Sequence, residues 1–143
     1  MAAVRWPSRA VPFMQKQPRR PFPEAVRHAL EGCWRLLRTE RNARVHAIFT
    51  LAVIAICAWL RLPLRDWAVI VLTIALVWAA EAFNTALEAL TDLVHPERHE
   101  LAKIAKDVSA AGVLITAGAS VIVGLLVIGP PLWQKLVLIF LHR

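Results

Sequence analysis

The sequence predicts an all-α membrane protein, with three transmembrane helices preceded by an amphipathic helix at the membrane surface. Three observations predict it. Of 143 residues, 58% are hydrophobic, yet 17 are Lys or Arg against 10 Asp or Glu. Long apolar spans with basic flanks account for both facts at once, whereas a water-soluble domain of this size rarely combines them. The apolar residues gather into long uncharged runs separated by short charged segments. Six Trp are spread along the chain, and Trp34, Trp59 and Trp67 fall where a membrane–water interface is expected. A chain this short has room for one domain.

Residues 1–23 hold five of the nine prolines and five basic residues, so no helix is expected there and the segment is read as a disordered tail. It lacks the apolar core and small-residue cleavage site of a signal peptide. Over 24–39, Val26, Ala29, Leu30, Cys33, Trp34 and Leu37 recur at helical spacing and form one apolar stripe. Arg27, Glu31, Arg35 and Arg38 lie off it. This pattern suits a helix lying in the bilayer surface with its basic side toward anionic headgroups.

The first span is predicted at about 44–61. Its uncharged run, Ala47–Leu60, has only 14 residues, and snorkelling Arg44 and Arg61 extend it to full length. Residues 61–66 form a turn. The second span, 67–90, begins with a run from Trp67 to Ala80 and continues with polar residues on one side. A polar loop is expected over Thr91–Asp107. Val108–Ile128 is a third span of 21 uncharged residues, ended by Gly129-Pro130-Pro131, and 131–143 is a short extension. Ten Lys or Arg in 1–46 and three in 91–107 oppose two in 61–66 and two at the C-terminal end. The positive-inside rule therefore predicts a cytoplasmic N-terminus and an external C-terminus. The basic residues are read as membrane flanks, and no nucleic-acid partner is expected. Cys33 and Cys57 lack the spacing of a metal site and are read as small buried residues. The five His show no metal-ligand spacing either, and none stands out individually.

The chemistry concentrates in Glu81-Ala-Phe-Asn84-Thr85-Ala-Leu-Glu88-Ala-Leu-Thr-Asp92. At about 100° per residue, Asn84, Thr85, Glu88 and Asp92 fall within roughly 60° of Glu81, while Ala, Phe and Leu occupy the other faces. A carboxylate at bilayer depth costs about 2.5–3.5 kcal/mol unless it faces a polar interior. Glu81 and Glu88 are separated by about 10 Å along the axis, too far to chelate one ion alone. Two tasks suit them better, the deeper carboxylate near a lipid headgroup and the shallower near a metal-nucleotide. Lys103, Lys106 and Asp107 reach the same cytoplasmic level, as does Glu40. A Lys there can hold phosphate oxygens, and the carboxylates can bind Mg²⁺. No glycine-rich phosphate loop of either common type is present, so any nucleotide site must be built from helix side chains.

At these residues the chain resembles the prokaryotic diacylglycerol kinase family, which includes undecaprenol kinases. Four motifs carry the resemblance across about 24–130. They are Thr39-Glu-Arg-Asn-Ala-Arg-Val-His46, Glu81-Ala-Phe-Asn-Thr-Ala-Leu-Glu88, Asp92 with Glu97-Arg-His-Glu100, and Ala102-Lys-Ile-Ala-Lys-Asp107. The resemblance implies a homotrimeric lipid kinase of the bacterial inner membrane, transferring phosphate from MgATP to a lipid hydroxyl. It implies Glu81 as general base with Asn84 supporting it, and Glu40 and Glu88 holding Mg²⁺ and nucleotide. Glu97, Arg98, His99, Lys106 and Asp107 would line the nucleotide, with His28 a looser match. The Thr39–His46 segment and the Val123-Gly124…Gly129-Pro130 ending are closer to the undecaprenol-type branch. The competing reading is a small oligomeric channel, or a structural subunit, with the polar stripe lining an ion path. A path needs polar residues along its length, whereas charge here stops halfway across.

Overall fold

The computed structural model describes residues 21–94 and 99–141. Among them are four helices and no strand: α1 (Phe22–Thr39), α2 (Arg41–Leu60), α3 (Leu64–Val94) and α4 (Glu100–Leu141). The last three are long and apolar enough to cross a membrane. The expected tail over 1–20 and the residues Glu97 and Arg98 lie outside the described residues.

α1 starts at Phe22, two residues before the expected boundary. Pro23 sits in its first turn, where a missing N–H costs nothing because no carbonyl precedes it. Glu24 faces the positive end of the helix dipole and Arg38 the negative end. Leu36 is its buried residue, whereas Val26, Leu30 and Trp34 of the predicted stripe are exposed. Cys33 is exposed as well, contrary to the expected burial, because it lies on that same uncovered stripe. Arg38 stands over the Trp34 ring at 5.8 Å.

A single extended residue, Glu40 (φ −93°, ψ 125°), separates α1 from α2. Its N–H donates to Leu36 O at 2.9 Å, so it closes one helix and opens the next. α2 ends at Arg61 in the left-handed region (φ 55°, ψ 49°), where the Arg61 and Leu62 amides donate to Ala58 O and Cys57 O. These bonds satisfy carbonyls that the last turn would otherwise orphan. Below the turn, Cys57, Leu62 and Ile70 are buried together, with Val53, Trp67, Ile74, Val127 and Ile128 packed around them.

α3 and α4 pack along one another as the principal contact, and α2 leans on α3 and more lightly on α4. Two expectations are corrected here. The polar loop over 91–107 is far shorter, because α3 runs to Val94 and α4 begins at Glu100. Lys106 and Asp107 are therefore helical. α4 also continues through Pro130 and Pro131 to Leu141 rather than stopping at Gly129. Each proline removes one donor from the helical ladder. The far side is held by Lys135, whose ammonium donates to Trp59 O and lies 4.1 Å from the Trp59 ring centroid. That tie anchors the last turns of α4 to the C-terminal end of α2, where a cation is favoured. Most large apolar side chains of α2, α3 and α4 remain exposed, as expected where the surroundings are hydrocarbon rather than water.

Candidate active site

The predicted stripe on α3 is covered as far as Glu88, whereas Asp92, one turn further on near the helix end, is exposed. Glu81 and Asn84 are buried, Thr85 and Glu88 half-buried, and the intervening residues exposed. Glu81, at 1% exposure, is the largest fully buried side chain among the described residues. Its Oε2 accepts no hydrogen bond, and the nearby Thr85 hydroxyl is likewise unpartnered. The imidazole of His46, on α2, places Nε2 4.0 Å from that oxygen. The charges that bear on Glu81 come from His46, Glu40 and Glu88. The fold therefore gathers three carboxylates from α3 and the α1–α2 junction into one neighbourhood.

A hydrogen-bonded chain runs beside Glu81. Ser109, on α4, donates from Oγ to Asn84 Oδ1 at 2.7 Å, and Asn84 Nδ2 donates to Glu88 Oε1 at 3.1 Å. Asn84 thus couples α4 to the shallower carboxylate and fixes its own amide orientation. Glu40 receives a hydrogen bond from Thr39 Oγ1 at 3.1 Å but does not cap α2 with its side chain. Lys106 pairs with Asp92, which bridges α4 to the last turns of α3. Asp107 is exposed one residue on. His28 is engaged with Glu31 on α1 at 3.1 Å, and the His99 Nδ1 accepts the Leu101 N–H at the start of α4.

Two openings flank this cluster. A cleft of about 250 Å³ opens between α2 and α4 against α3, lined by Asn42, His46 and Asn84 and otherwise by the apolar Val45, Ala110, Val113, Leu114 and Ala117. A smaller cavity of about 90 Å³ extends deeper, between Phe49, Val53, Ile70, Ile74 and Val77, with His46 at one end. Below Glu81, α3 buries only Val77 and Ile70.

For Mg²⁺ the donor set is suitable. Among the described residues no three acidic, His or Cys side chains converge as a metal cage. Mg²⁺ keeps several waters and takes one or two carboxylates plus substrate phosphates, and Glu40 with Glu88 offers that number. Sequence reasoning did not single out His46 or Ser109. The signal for His46 was its position against the apolar run of the first span, where a polar ring needs a partner.

A helical membrane protein with a buried carboxylate, next to a mostly apolar cleft that carries a few polar groups, belongs among enzymes acting on lipids. Residues 27–128 match the sequence model of prokaryotic diacylglycerol kinase. An undecaprenol kinase of Bacillus subtilis is 42% identical over 106 residues, covering 73% of this chain and 85% of that protein. A diacylglycerol kinase of Synechocystis is 45% identical over 114 residues, covering 79% and 65%. A diacylglycerol kinase of Escherichia coli K12 is 32% identical over 93 residues, covering 62% and 76%. The chain belongs to the prokaryotic diacylglycerol kinase family and is a lipid kinase.

Proposed function

We propose that the protein transfers the γ-phosphate of ATP to the hydroxyl of a membrane lipid, undecaprenol or diacylglycerol, at the cytoplasmic face of the bacterial inner membrane. The observation that carries this reading is the free oxygen of buried Glu81, next to His46, which with Asn84 lines a mostly apolar cleft. An amphiphile can lay its tail against Val113, Leu114 and Ala117 and bring its hydroxyl to the level of His46 and Asn84. In the step, Glu81 takes the hydroxyl proton as that oxygen bonds to the γ-phosphorus. The bond from phosphorus to the bridging oxygen breaks, and ADP leaves. Glu40 and Glu88 would hold Mg²⁺ brought with ATP, which would supply neutralisation of phosphate charge. Asn84 keeps the Glu88 carboxylate in place, and Lys106 and Asp107 meet the nucleotide from α4. The family resemblance adds Glu97, Arg98, His99 and His28 as further nucleotide contacts.

The surrounding assembly follows the same reading. The exposed apolar stripe of α1 lies on the membrane surface, the basic residues keep the N-terminus and the α3–α4 connection in the cytoplasm, and the working unit is a homotrimer. A channel reading is disfavoured because, among the described residues, the cavity below Glu81 is lined by no Asp, Glu, Lys or Arg. The test is direct. Purified protein in mild detergent, with Mg²⁺ and γ-labelled ATP, is offered undecaprenol and diacylglycerol in parallel. Label entering either lipid, and lost in Glu81→Gln, supports the reading. A folded protein that labels neither would refute it.

A further inference from the structure

The buried Glu81 oxygen has no donor, and a carboxylate so placed costs stability until something donates to it. The groups facing it can be taken in turn. Glu40 and Glu88 are carboxylates and cannot donate when ionised. Ser109 on α4 is committed to Asn84 Oδ1 and to Lys106 O. Thr85 lies one turn away on the same helix, with its hydroxyl unpartnered. His46 alone brings a ring nitrogen from another helix, with Nε2 at 4.0 Å. That gap exceeds a hydrogen bond by about 1 Å, within reach of a small ring rotation. His46 also borders both the cleft and the deeper cavity.

We infer that His46 is a positioning residue for Glu81, its Nε2–H donating to the free Oε2 so that the other carboxylate oxygen faces the acceptor hydroxyl. A carboxylate with one oxygen held keeps a single orientation, and its second oxygen is presented where the cleft admits the lipid. The same ring closes the deeper cavity off from the cleft, so the acceptor hydroxyl stops at the level of Glu81. This inference rests on Glu81 being the base.

The experiment uses the full chain reconstituted in lipid vesicles containing the acceptor that the native protein labels, and compares His46→Leu, His46→Gln, Glu81→Gln and the His46→Leu/Glu81→Gln pair. Folding of each is checked by size-exclusion chromatography. His46→Leu should lower kcat by about 10- to 100-fold, the span expected for one lost hydrogen bond to a charged group. KM for MgATP and for the lipid should stay within about twofold. His46→Gln, which retains an N–H donor of similar reach, should recover most of the loss. In the Glu81→Gln background His46→Leu should have no further effect. Full kcat in His46→Leu beside an inactive Glu81→Gln would overturn this role alone. So would an effect confined to lipid KM, which would make His46 only a wall of the groove, or equal losses in the Gln and Leu variants. An active Glu81→Gln would overturn the base assignment itself, and this role with it.

Discussion

Replacing Asn84 by Asp changes one atom of the side chain and reverses one contact. The native amide accepts from Ser109 through Oδ1 and donates to Glu88 through Nδ2 at 3.1 Å. In Asn84→Asp the first bond survives, while the second becomes two carboxylate oxygens at about the same separation. Like charges at about 3 Å, in surroundings of effective dielectric near 20, repel by roughly 5 kcal/mol. Glu88 is half-buried and can turn away, so the structure relieves much of this by giving up the Glu88 position. That position is the one proposed to meet Mg²⁺ and nucleotide. We expect kcat/KM for MgATP to fall at least about 100-fold, the equivalent of roughly 2.7 kcal/mol. Asn84→Ala, which only deletes the two bonds, should cost about 2–4 kcal/mol of stability and lower kcat/KM by a smaller factor. The assay is steady-state phosphorylation at saturating lipid with varied MgATP, beside thermal unfolding in the same detergent. If Asn84→Asp kept kcat/KM within about threefold of native, the chain from Ser109 through Asn84 to Glu88 would not serve catalysis.

Four further outcomes test other parts of the structure. Asp92→Asn should leave activity near native, because Lys106 loses only a partner on an exposed pair worth under about 1 kcal/mol, whereas Lys106→Ala should raise KM for MgATP about tenfold or more; equal effects in the two variants would show that the pair is structural. Thr50→Val strands the Trp78 indole N–H, which donates to Thr50 Oγ1 at 3.1 Å, and should cost about 1–2 kcal/mol in thermal unfolding with little change in kcat. Lys135→Met should weaken the tie to Trp59 by about 1 kcal/mol, read as faster proteolysis after α4 residue 131. Cys33, exposed, should react with a water-soluble maleimide in detergent and be shielded in vesicles if α1 lies on the bilayer, while buried Cys57 reacts only on unfolding.

The site was legible where it depends on one helix. A rotation of about 100° per residue put Glu81, Asn84, Thr85, Glu88 and Asp92 on one face, and α3 covers that face as far as Glu88 while Asp92 stays exposed. What depends on two helices was not legible. His46 reads as an unremarkable flank until the register of α2 against α3 is known, and Ser109 as one of several hydroxyls in a span. The pairing of Lys106 with Asp92 needs both the full length of α3 and the early start of α4, each longer than its apolar run suggests. Local sequence rules misjudged Gly129-Pro130-Pro131 for a related reason. Two missing donors break a solitary helix, but a contact from Lys135 to the end of α2 restrains the continuation.

A kinase without a glycine-rich cradle must get its phosphate site from somewhere else, and this fold points to the phase boundary as the source. Glu81 and Glu88 stand about 10 Å apart along one helix, which separates a level reached from the bilayer from a level reached from water. The acceptor carries its own tail and stays in the hydrocarbon, so it needs only a lateral cleft such as the one between α2 and α4. On the proposed reading the nucleotide, polar throughout, needs only the shallow carboxylates and Lys106. Two substrates that never share a solvent can then meet at the level of Glu81, with no loop required to carry either across. Burying a carboxylate there is costly to folding, and that cost is the reason its surroundings are so specific. Below it the charge ends: Val77 and Ile70 are buried, and the deeper cavity that they help line carries hydroxyls and the His46 ring but, among the described residues, no Asp, Glu, Lys or Arg. A channel would need the opposite arrangement, with the polar stripe continued past Glu81 toward the α2–α3 turn.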